Sequence, residues 1–103
     1  MIEETNTCNF AAVQTNLDMA DELTRLKDEL ARARDIGVMD ERSAESAIKE
    51  VTWAIKEAIM PVPSKAALLD HLDNARDSLS GNTHTAEFTS HLEAAAAALQ
   101  NLP

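Results

Sequence analysis

The chain has 103 residues, enough for one domain with a modest core and little stability to spare. Its formal net charge is −9, from 18 Asp and Glu against 9 Lys and Arg, and every base lies between Arg25 and Arg76. That balance speaks against direct binding of nucleic acid or of an anionic membrane, both of which need clustered bases. No run is long and apolar enough to suggest a membrane span.

Apolar residues make up 45% of the chain but aromatics only 3%, namely Phe10, Trp53 and Phe88, so Leu and Ala must build the core. Small side chains let helix axes approach closely, and the β-branched residues are too scattered to make strands. The single cysteine, Cys8, cannot form an internal disulfide, which fits a reducing compartment. The segment Met1 to Asn6 has neither the basic nor the apolar region of a signal peptide. The expected location is cytoplasmic.

Residues 1–8 are polar and without period and read as a flexible N-terminal tail, leaving 9–103 as a single helical domain. A helical pattern then runs to Asp35, clearest at Leu23, Leu26, Leu30 and Ala33. Acids lead it and bases follow, as the helix dipole favours. Phe10, Val13 and Leu17 drift round from that stripe, which predicts a kink or break near Asn16, with Asn16 or Asp18 capping the longer helix. Gly37 is placed to end it.

Asp40 is the expected cap of the second helix, which should reach about Ile59 before Pro61-Val62-Pro63 stops it. Its apolar stripe is Ala44, Ala47, Ile48, Val51, Ala54, Ile55, Ala58 and Ile59. Ser64 opens the third helix, with Leu68, Leu69, Leu72, Ala75 and Leu79 as its stripe and Gly81 as its stop. Asn82, Thr83 or Thr85 opens the fourth, with Phe88, Leu92, Ala95, Ala96, Leu99 and Leu102 inward. The start signals, stripes and stops agree with one another. Short connections favour antiparallel neighbours, so the predicted fold is all-α, an antiparallel four-helix bundle made of two helical hairpins.

Trp53 is the residue that this scheme does not absorb. At roughly 100° per residue it lies opposite the stripe of its own helix, beside Ser46, Lys49, Glu57 and Met60. A Trp in a polar ring has the composition of an interface centre. The competing expectation is cover from within the protein, either because the second helix is central or because the segment around Phe10 folds over the ring.

His84, Glu87 and His91 share a face of the fourth helix, and His and Glu are metal ligands. The two histidines are about 10.5 Å apart by helix rise, too far for one ion to bridge. Glu87 with one His would need donors from elsewhere, for which His71 is available. Spacing alone therefore assigns no metal site and no cofactor. Cys8 has no basic neighbour to activate it, no oxyanion loop accompanies any Ser, and two glycines cannot cradle a phosphate. The sequence offers no catalytic residues, and the expected protein is not an enzyme.

The run Asp40-Glu41-Arg42-Ser43-Ala44-Glu45-Ser46-Ala47, then Pro61-Val62-Pro63, Leu68-Leu69-Asp70-His71-Leu72 and Leu79-Ser80-Gly81, resembles small all-helical accessory domains of bacteria. Those domains accompany effector modules in signalling and conflict systems. The resemblance spans about Leu23 to Leu102 and rests on hairpin punctuation rather than on a motif. It implies an adaptor that recruits a partner and carries no catalytic residues.

Together these features lead to the expectation of a protein–protein interaction module. It would bind a partner or a second copy of itself through Ser46, Lys49, Trp53, Glu57 and Met60. The alternative is a small acidic inhibitor, antitoxin-like, that fills a basic site on an enzyme or nucleic-acid-binding protein. A self-associating bundle using the Ala-rich face of the fourth helix is a third reading.

Overall fold

The computed structural model describes residues 10–80 and 85–102. The tail expected over residues 1–8, Cys8, and the residues Gly81, Asn82, Thr83 and His84 lie outside the described residues. A single 3-10 turn, Phe10–Ala12, precedes four helices: α1 (Asn16–Asp35), α2 (Glu41–Ala58), α3 (Lys65–Leu79) and α4 (Ala86–Gln100).

The break expected near Asn16 is present, but Thr15 makes the cap rather than Asn16 or Asp18. Its hydroxyl accepts from the Asp18 amide at 3.0 Å, and the Asp18 carboxylate accepts from the Gln14 amide at 3.1 Å. Two orphan donors at the helix start are thus satisfied reciprocally. At the other end Gly37 takes φ +82°, letting its amide reach the Arg34 carbonyl and the Val38 amide reach that of Ala33. This double bond pattern closes the last turn and reverses the chain. Asp40 and Ser64 cap α2 and α3, accepting from the amides of Ser43 (2.9 Å) and Ala67 (3.2 Å). Thr85 opens α4 by position, although its hydroxyl donates to the Leu79 carbonyl at 3.3 Å instead of capping its own helix.

The core follows the predicted stripes. Leu23, Leu26, Leu30, Val51, Leu68, Leu72, Leu79, Leu92 and Leu99 are buried, each Leu contributing about 1.5–3 kcal/mol of transfer free energy. Met19 and Ala20 extend the α1 stripe upstream. The buried face of α2 is largely alanine (Ala44, Ala47, Ala54 and Ala58), with Val51 among them. Such a face admits close neighbours on both sides, and α2 packs extensively on both α1 and α3.

Contacts along the seams fix the directions. Ser46 meets Ser78, Glu50 meets His71, and Glu57 meets the start of α3 at Ser64. The partners run in opposite senses, so α2 and α3 are antiparallel. Arg76 with Glu93 and Lys65 with Leu102 show the same for α3 and α4. The ring closes between α1 and α4, where packing is sparser than at the other seams. The protein is therefore an all-α antiparallel four-helix bundle, and none of the described helices is long and apolar enough to cross a membrane.

Two apolar positions depart from expectation. Ile59, placed in the α2 stripe, is 57% exposed because the helix ends at Ala58 and the inward period ends with it. Leu17 is exposed while Phe10 is buried, so the early drift of apolar residues sends only part of them inward.

Candidate functional site

Trp53 stands on α2 beside the seam with α3 and is 48% exposed. Its indole lies nearly parallel to the His71 ring, with centroids 6.4 Å apart and planes 17° off parallel. Lys56, one turn along, places Nζ 4.9 Å from the ring centroid, within cation–π range. His71 is anchored in turn: its Nδ1 lies 2.9 Å from Oε1 of Glu50. A carboxylate can only accept, so Nδ1 of His71 carries the proton in this bond. The Trp is thus held by neighbours on both helices while about half its surface faces solvent.

Among the described residues, the cover over Trp53 comes from α3, and Phe10 does not supply it. Phe10 packs on the other side of the bundle, where Phe10, Ala11 and Val13 with Ala94, Ala97 and Ala98 line an apolar depression of about 410 Å³. The first of the two expectations for internal cover, a central α2, accounts for the half that is hidden.

The five residues expected on this face divide into two groups. Ser46 and Glu57 serve the α2–α3 seam: Ser46 Oγ lies 2.8 Å from Ser78 Oγ, and Glu57 accepts from the Ser64 amide at 2.7 Å. The second bond holds the end of α2 against the start of α3. Lys49 is exposed, and Met60 is 54% exposed just past the end of α2. Ile59 and Val62, also exposed, extend the apolar surface around the Pro-rich turn. Glu50, Lys56 and His71 were not foreseen as neighbours of the Trp. The signal for Lys56 was its i+3 spacing from Trp53, whereas the part played by His71 depends on how α3 sits against α2.

A second constellation lies on the opposite seam. Glu29 of α1 converges with Glu87 and His91 of α4, with one donor atom from each lying within 4.8 Å of the others. The helix pair Glu87–His91 was foreseen as a partial ligand set, but the third donor comes from α1, not from His71, which is engaged with Glu50 and Trp53. The His91 side chain is only 16% exposed, and its Nε2 is buried with no hydrogen-bond partner among the described residues. The nearest Glu87 oxygen is 3.7 Å from it. Burial pushes the Glu29 carboxyl above the usual glutamate range; His91 opposes this, Glu87 adds to it, and Arg32 opposes it.

Elsewhere three arginines pair with acids. Arg25 reaches Glu22, Arg34 reaches Asp35 and Glu45, and Arg76 reaches Asp73 and Glu93. These exposed pairs contribute little stability, but they break up the negative field of the surface.

No family model, curated protein or solved structure matches this chain.

Proposed function

We propose that the protein is a non-enzymatic interaction module that docks onto a protein partner through the α2 face centred on Trp53, with Lys49 and Met60 beside it. The observation that carries this reading is a Trp held in place by His71 and Lys56 yet 48% exposed. A preorganised aromatic loses little conformational freedom when it is covered. Trp is also among the residues that most often dominate binding energy. The exposed Ile59, Met60 and Val62 provide apolar surface at the end of the same helix. The resemblance of the hairpin punctuation to bacterial effector-associated adaptor domains supports this role.

The rival reading, an acidic plug for a basic site, draws on the net charge of −9. The exposed Arg–acid pairs weaken it, because they dilute a single-sign surface. Salt separates the two. A charge-driven complex loses affinity steeply with ionic strength, and a Trp-centred contact does not.

The direct test places a photoreactive benzoylphenylalanine at Lys49, with the same group at exposed Asp73 on α3 as control. Crosslinking to one discrete protein, or to a second copy of the chain, from position 49 alone is expected, and Trp53→Ala should strongly reduce it. Equal crosslinking from both positions, or indifference to Trp53→Ala, would remove the reading. A hot-spot Trp is worth about 2 kcal/mol or more, so the substitution should weaken the complex by roughly 30-fold.

A further inference from the structure

We infer that Glu29, Glu87 and His91 form a divalent metal site that ties α1 to α4, with Zn²⁺ as the best-matched ion. The three donors come from two helices that are far apart in sequence. Glu87 and His91 are one turn apart on α4, and Glu29 approaches from α1. One donor atom from each already lies within 4.8 Å of the others. Zn²⁺ bound at about 2.0–2.2 Å by imidazole and carboxylate needs its donors about 3.4 Å apart, a contraction that two Glu side chains supply by small rotations.

A second observation, independent of the clustering, concerns His91. Its Nε2 is shut off from solvent and makes no hydrogen bond among the described residues. An unsatisfied buried ring nitrogen is costly, and a helix-facing His on a bundle normally finds a partner. Coordination through the Nε2 lone pair would satisfy it. The two carboxylates are explained at the same time. Glu87 in the first turn of α4 suits the helix dipole by itself, but Glu29 lies close to that like charge, which Arg32 and His91 offset in part. A divalent cation between them removes the repulsion. The donor set, one imidazole and two carboxylates, leaves coordination positions for water and suits Zn²⁺ better than Ca²⁺, which prefers six or more oxygens. The ion would bridge the sparsest seam of the bundle, so its binding should register as stability.

The experiment is titration of ZnCl₂ into the metal-stripped full-length chain by calorimetry, paired with thermal melting followed by circular dichroism with and without Zn²⁺. The wild type should bind one Zn²⁺ per chain with a micromolar or tighter Kd, and melt at a higher temperature in its presence, reversibly on chelation. Glu29→Gln and His91→Ala should each weaken binding at least tenfold and lose the thermal shift. His71→Ala, at the other seam, should keep both. Glu29→Gln is nearly isosteric, so its fold provides the fair comparison if His91→Ala unfolds. Absence of saturable binding up to 1 mM Zn²⁺ would overturn the site, as would binding that Glu29→Gln and His91→Ala leave intact.

Discussion

His71 lies flat against Trp53, and the same imidazole is held by Glu50 at 2.9 Å, so one α3 side chain both covers and orients the only Trp of the chain. The separation of 6.4 Å and the small interplanar angle correspond to an offset stack, the favourable arrangement for two π systems. The exposed half of Trp53 is therefore held in a defined pose.

Removing that support should free the ring without unfolding the bundle. His71→Ala should raise the acrylamide quenching constant of Trp53 and lower its steady-state anisotropy. The stability cost should be about 1 kcal/mol, in the range for an aromatic pair that is partly solvated. His71→Phe keeps the stack and loses the tie to Glu50, so it should fall between the two in quenching. Equal quenching in all three proteins would mean that His71 does not hold the Trp.

Trp53 and the core should part company in denaturant. Leu72→Ala empties a fully packed position and should cost about 2–5 kcal/mol. Trp53→Ala removes a larger side chain yet should cost clearly less, because half of it is already in water and its neighbours are at the surface. Urea midpoints with unchanged m-values check this. A Trp53→Ala protein as unstable as Leu72→Ala would make the ring part of the core.

Gly37 should be the most sensitive residue of the α1–α2 connection. At φ +82° with open space where a Cβ would stand, Gly37→Ala meets a backbone penalty of about 1–2 kcal/mol and no clash. Gly37→Asn should cost less, since Asn tolerates the left-handed region. Thermal melts of the three proteins order the series.

Asp40 should confer a pH dependence on α2. The Ser43 amide and hydroxyl hold its carboxyl below the usual aspartate range. A group whose folded pKa is lowered stabilises the fold above its unfolded value, about 3.9, and loses that contribution as pH falls through the folded value. Asp40→Ala should lower stability at neutral pH, because it removes the N-cap bond to the Ser43 amide. Asp40→Asn keeps a capping oxygen without the charge. The wild type should therefore lose stability relative to Asp40→Asn as pH drops below about 4, read from parallel urea titrations.

Much of the architecture was legible because the signals are local. Asp40, Ser64 and Gly37 act within a turn of themselves, and the Leu and Ala stripes follow from helical period alone. The Thr15 cap was missed by one residue, since Thr15, Asn16 and Asp18 all have capping chemistry and only the backbone decides among them. Ile59 was placed inward because the period gave no sign that α2 would stop one residue earlier. The sites were less legible for a different reason. That Trp53 stands outside the stripe follows from its position in α2, but that His71 covers it depends on the pairing of α2 with α3. Glu29 carries no signal toward Glu87 and His91 in the sequence, because its approach requires the closure of α1 on α4.

The most direct measurement is the emission and acrylamide quenching of Trp53 in the isolated protein, diluted to the nanomolar range. There is no second Trp and no Tyr, so the signal has one source. A docking face built on a half-exposed indole predicts red-shifted emission and efficient quenching at the lowest concentration, with protection appearing only when a partner or further copies are added. Blue-shifted emission, protected from acrylamide at every dilution, would place the ring inside the folded monomer and contradict the assignment of this face.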